Sequence, residues 1–185
     1  MAMTGWFGRF PAQTTTLEDT YLVDPQLPGL SVKVRGGRAF EIKVYRGSPG
    51  VLQVTGRARG RLGSWQKWSF PTGPPRQGSG DPAAWRRVGK TRRISRFPAA
   101  GGPARAGVPG PRQGPGCAVE LTEVTMQGQA WWTLGFEATG PDGMLRSQLE
   151  AAAALVFAQA LPVGVELGIT DSASYAQWLR ATSWS

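Results

Sequence analysis

Histidine and asparagine are absent from this 185-residue chain, and cysteine occurs once. Without imidazole there is no histidine general base, no histidine metal ligand and no Ser-His or Cys-His dyad in its usual form. The lone Cys117 has no second thiol for an internal disulfide and no Cys or His companion for a zinc site. A reducing compartment and no disulfide-linked partner are therefore expected, with Cys117 itself a small core residue. Long hydrophobic runs are missing too: no stretch approaches the roughly 18 apolar residues of a membrane span, and residues 1–11 lack the apolar core of a signal peptide. A cytoplasmic protein without a membrane partner is expected. Negative charge is scarce, with 12 Asp plus Glu against 21 Lys plus Arg, a formal charge of +9 and a pI near 10.8. That balance favours phosphorylated ligands, nucleic acid or anionic surfaces as partners. It also leaves few carboxylates to hold the metal ions that phosphoryl transfer usually needs.

What the chain does have is a relay of basic residues in short alternating segments: Lys33 and Arg35, Lys43, Lys67, then Lys90 and Arg92. Residues two apart in a strand point to one face. These segments would gather cations on one surface while Val32, Val34, Ile42 and Val44 cover the other. An anion site is expected there.

At 41% hydrophobic the chain can fill one core, and a single domain over 1–185 is expected. Strands are predicted at 17–23, 30–35, 39–45, 65–70 and 85–94, with Gly36-Gly37 a tight hairpin turn. Segments 71–83 and 98–116, rich in Pro and Gly, read as loops whose Arg76, Arg105 and Arg112 are solvated charges. Gln127-Gly128-Gln129 divides a hairpin of 117–125 and 130–138. Leu- and Ala-rich 144–160, stopped by Pro162, reads as a helix, and Asp171 or Ser172 can cap a second one running to about 181. The expected fold class is α+β, an antiparallel sheet of seven or eight strands followed by two helices.

Residues 84–91 come close to the phosphate-loop pattern, with Ala84 where the first Gly would stand and Lys90-Thr91 at its end. That mechanism needs a buried strand before the loop and a helix after it, and neither is predicted. Three carboxylates are candidate metal ligands: Glu41, which shares parity with Lys43, and Glu120 and Glu137 in the late hairpin. Ordinary cross-strand ion pairs would explain each of them equally well. Trp65, Trp68, Trp85, Trp131 and Trp132 could stack on bases, although core and rim packing also accounts for them.

Taken in order, these segments resemble the CYTH superfamily of triphosphate tunnel proteins. Glu18-Asp19-Thr20-Tyr21-Leu22 looks like the family's early Asp-Thr segment, Val32-Lys33-Val34-Arg35 like its Leu-Arg-Ile-Arg strand and Glu41-Ile42-Lys43 like its Thr-Leu-Lys strand. Lys90-Thr91-Arg92 is similar to the Lys-x-Arg strand, Phe136-Glu137 to the end of the acidic hairpin, and Ser174-Tyr175-Ala176-Gln177-Trp178-Leu179 to the closing Ser-Tyr-x-x-Leu helix. The resemblance implies a closed or nearly closed eight-stranded antiparallel tunnel with C-terminal helices. It would bind a triphosphate or polyphosphate through Lys33, Arg35, Lys43, Lys67, Lys90, Arg92 and Arg9, with Mg²⁺ or Mn²⁺ held by Glu41, Glu120 and Glu137. The family's opening Glu-x-Glu-x-Lys strand corresponds to Gly5-Trp6-Phe7-Gly8-Arg9-Phe10, which holds no carboxylate. The expected function is binding of a phosphorylated polyanion, with metal-dependent hydrolysis weakened or altered. A nucleic-acid-binding module, or a scaffold whose cations are satisfied by internal ion pairs, are the alternatives.

Overall fold

The computed structural model describes residues 2–71, 84–98 and 114–182. Most of both Pro/Gly segments, with Arg76, Arg105 and Arg112, lies outside the described residues. Seven strands form one sheet: β1 (Gln13–Leu22), β2 (Leu30–Arg35), β3 (Ala39–Thr55), β4 (Ala58–Pro71), β5 (Trp85–Pro98), β6 (Gly116–Met126) and β7 (Gln129–Thr139). Their order is β4-β3-β2-β1-β5-β6-β7, with antiparallel neighbours throughout. Strand β1 is the centre of two meanders, β2–β4 on one side and β5–β7 on the other.

Two tight turns set the register. Gly36 and Gly37 have φ of 52° and 67° in the three-residue connection between β2 and β3, a tight turn closed by Arg38 N donating to Arg35 O at 2.9 Å. Gln127 and Gly128 repeat the positive angles at 51° and 77°, Gln127 being a non-glycine residue held in that region.

The sheet is strongly curled. Five strand spacings separate β3 from β7, which in a flat sheet would be about 24 Å. Yet Lys43 Nζ on β3 lies 3.2 Å from Glu137 Oε1 on β7. Helix α2 (Asp142–Phe157) spans the two limbs, packing on β6, β7 and β3, and its Arg146 donates to the carbonyls of Pro49 and Val51. The result is a seven-stranded half-barrel. The expectation of a closed eight-stranded tunnel is corrected: among the described residues β4 and β7 end the sheet and do not pair.

Two apolar clusters clamp the sheet. On the convex side Met3, Trp6 and Phe7 of helix α1 (Ala2–Phe7) join Phe97, Cys117, Val119, Leu121, Ala152 and Val156. On the concave side Tyr21, Val88, Val124 and Met126 receive Leu179 of helix α3 (Tyr175–Thr182). The opening segment is therefore a helix, in contrast to the strand implied by the resemblance. Met3, Trp6, Phe7 and Phe10 are spaced three and four apart, the spacing of a helix face, whereas a strand would need alternation. Ser174 caps α3, its hydroxyl accepting from Gln177 N while Gln177 Oε1 accepts from Ser174 N. Asp171 and Ser172, the expected caps, instead accept from the backbone N–H groups of Gly168 and Arg61.

Candidate functional site

Register decides which side chains share the concave face. Tyr21 stands opposite Lys33, Lys33 opposite Glu41, Lys43 opposite Lys67, and Arg92 opposite Thr122. Lys33, Arg35, Lys43, Lys67, Lys90 and Arg92 all project to this side, together with Asp19, Glu41, Glu120 and Glu137. Arg9 does not join them: it follows α1 and donates to Gln159 Oε1 at 3.1 Å on the exposed surface. Lys90 extends from the middle of β5, so the phosphate-loop-like run forms no loop and leads into no helix.

The floor of the face is a buried cluster. Asp19 is 1% exposed, and its Oδ2 accepts from both Lys33 Nζ at 2.8 Å and Lys90 Nζ at 3.1 Å. Lys90 also donates to Tyr21 Oη at 2.5 Å and lies over the rings of Tyr21 and Tyr175, 4.6 and 4.0 Å from their centroids. Those rings stack on each other at 5.8 Å. Helix α3 thus supplies part of the floor through Tyr175.

Towards the open end, Glu41 is surrounded by Lys33 at 3.5 Å, Arg35 at 3.1 Å and Lys67 at 3.2 Å. Arg92 grips Glu120 with two parallel hydrogen bonds, and Thr122 donates to the same carboxylate. Lys43 meets Glu137 across the mouth of the half-barrel.

Burial and charge compete at each group. Burial works to raise the pKa of Asp19, but Lys90 and Lys33 overcome it and hold the carboxyl below its ordinary value. Glu41 is likewise held low against burial by Lys33, Arg35 and Lys67, and Glu120 by Arg92. Burial, reinforced by the neighbouring Lys33, pushes Lys90 down to about 8 despite the pull of Asp19. The unfolded chain therefore binds more protons than the native chain from about pH 8 upward. Stability is expected to rise between pH 7 and 9. Above that, burial of Cys117 and Tyr175, both pushed up to about 12, reverses the slope because the native state then holds the extra protons. Urea unfolding at pH 7, 8 and 9 checks this; Lys90→Met should flatten the rise, and a fall over the window would contradict the cluster.

The three carboxylates expected to hold Mg²⁺ or Mn²⁺ do not suit that task. Glu41, Glu120 and Glu137 each face their own cations, so an added divalent ion would sit among ammonium and guanidinium groups. Among the described residues no three His, Cys, Asp or Glu side chains gather where they could hold a metal ion.

Three groups went unassigned in the sequence: Asp19, Tyr21 and Tyr175. The signal for Asp19 was present, since of the two carboxylates in β1 it alone has the parity of Leu17 and Tyr21, Glu18 lying on the other face. A second signal is compositional. The whole chain has four lysines, Lys33, Lys43, Lys67 and Lys90, and all four ammonium groups contact carboxylates on this face, whereas the remaining cations are arginines. A compact ammonium with three rotatable donors suits a crowded interior better than a planar guanidinium. Of the tryptophans considered for base stacking, Trp131 packs edge-on against Trp178, Trp65 against Tyr45, and Trp132 against the convex core, while Trp68 is 41% exposed.

No helix among the described residues is long and apolar enough to cross a membrane. Comparison of the chain with protein-family models, curated proteins and solved structures returns no match.

Proposed function

We propose that the protein binds a phosphorylated anion, a triphosphate or a related polyanion, on the concave face of the half-barrel. One observation carries this reading: six Lys and Arg side chains from four different strands turn to one face, where four carboxylates offset them incompletely. Cations brought together in a partly dry concavity attract anions far more strongly than the same charges spread over a wet surface. The reading is one of binding, because the carboxylates are engaged by cations and leave no set poised for metal chemistry.

Isothermal calorimetry of the folded protein with tripolyphosphate, ATP and thiamine triphosphate at low salt is the test. Saturable heat is expected with at least one of them; silence from all three removes the proposal. Short polyphosphate is also expected to displace any bound single-stranded RNA, since a compact site is filled by a few phosphates while an extended RNA footprint is not.

One feature favours a second reading. Every one of the six cations lies within 4.0 Å of a carboxylate, as a self-sufficient structural network would require. Silent calorimetry with a cooperative unfolding transition would leave that reading standing.

A further inference from the structure

The six cations are not equivalent once they are sorted by contact. Arg92 and Glu120 form a closed one-to-one pair, bidentate and supported by Thr122. Lys43 and Glu137 form another. The remaining four, Lys33, Arg35, Lys67 and Lys90, share two carboxylates: Asp19 takes Lys33 and Lys90, and Glu41 takes Lys33, Arg35 and Lys67. Lys33 joins the two groups, so the excess of two positive charges is contiguous, on the β1–β4 side together with Lys90 of β5.

We infer that this four-cation, two-carboxylate cluster is the anion subsite, and that it grips a single dianionic terminal phosphoryl group, leaving the rest of the ligand outside it. The inference deepens the binding reading above and rests on it. Two observations point to the cluster. Its floor is dry, the Lys33 and Lys90 side chains being 10% and 4% exposed, so the surplus charge is poorly dispersed by water and favours a counter-anion. Its rim is reachable, with the Arg35 and Lys67 side chains 33% and 37% exposed, and the buried Arg35 Nε has no hydrogen-bond partner. A phosphate monoester carries about −1.5 to −2 at pH 7, which matches the excess. A grip by all six cations would instead require Arg92 and Lys43 to leave Glu120 and Glu137, stranding two carboxylates beside an incoming anion.

Two measurements test this. Titration with inorganic phosphate, phenyl phosphate, pyrophosphate and tripolyphosphate is expected to give affinities within about tenfold of one another, because the subsite takes only one phosphoryl group from each. Arg35→Gln and Lys67→Met should each weaken phenyl phosphate binding by about ten- to a hundredfold, the value of a charge-assisted hydrogen bond. Arg92→Gln and Lys43→Met should change it by less than about threefold, well short of the loss of such a bond. Should Arg92→Gln fail to fold because Glu120 loses its partner, Lys43→Met carries the comparison, since Glu137 is 61% exposed and can be hydrated. Affinity rising more than about a hundredfold from phosphate to tripolyphosphate, or Lys43→Met weakening binding as much as Lys67→Met, overturns the single-phosphoryl subsite while leaving anion binding in place. Absence of binding by every probe overturns both.

Discussion

Asp19→Asn is expected to destabilise the protein by about 3 to 5 kcal/mol at pH 7, the range for breaking a buried ion pair from one side. Asparagine is nearly isosteric, so the loss is one of charge and not of packing. It would leave Lys33 and Lys90 together in the floor with only neutral acceptors in common, an amide oxygen and Tyr21 Oη, in place of the carboxylate they share. Urea unfolding measures the effect, and two controls bind it to this mechanism. Raising the pH to 9 should return part of the lost stability, because Lys90 can then shed its proton. Asp19→Asn combined with Lys90→Met should be more stable than the sum of the single effects, by about 0.5 to 3 kcal/mol of coupling. A cost below about 1 kcal/mol, typical of an exposed pair, would mean that Asp19 does not organise the two ammonium groups.

Phe7→Ala is expected to cost about 3 to 5 kcal/mol, the usual range for truncating a buried phenyl group. Phe7 is fully buried, and its ring meets Trp6 and Phe10 at centroid distances of 6.4 and 5.7 Å within the convex core. The substitution touches nothing on the concave face. It should therefore lower the unfolding midpoint while leaving the affinity of the folded protein for tripolyphosphate unchanged. A variant that kept its stability but lost ligand would restore this segment to the site, where the resemblance places it.

The strand relay was legible because alternation is a local signal: each of Lys33, Arg35, Lys43, Lys67, Lys90 and Arg92 could be assigned to a face from its neighbours alone, and sheet register keeps them on one side. The carboxylate partners were harder to read because they are non-local. Lys90 meets Asp19 from 71 residues away, and Lys43 meets Glu137 from 94. Local signals also misled in two places. The third strand was expected to end at residue 45, yet β3 runs on to Thr55 through register shifts at Gly47 and Gly50, with Ser48 Oγ donating to Leu62 O at 2.9 Å to bridge the irregularity. In the opening segment, an alignment to the family order displaced the helical spacing of Met3, Trp6 and Phe7. The eighth strand implied by the resemblance would have been that same opening segment, which is the helix α1.

Because every lysine side chain belongs to the network, reagents that modify lysine probe one place. Among the lysines, acylation by a succinimidyl ester would reach Lys43 and Lys67 first and alter the face that a dye or sensor chip was meant to report on. Endoproteinase Lys-C could not cut beside Lys33 or Lys90 until β1, β2 and β5 part. Its cleavage at those two positions would serve as a clock for opening of the sheet, in a chain whose many arginines expose it freely to trypsin.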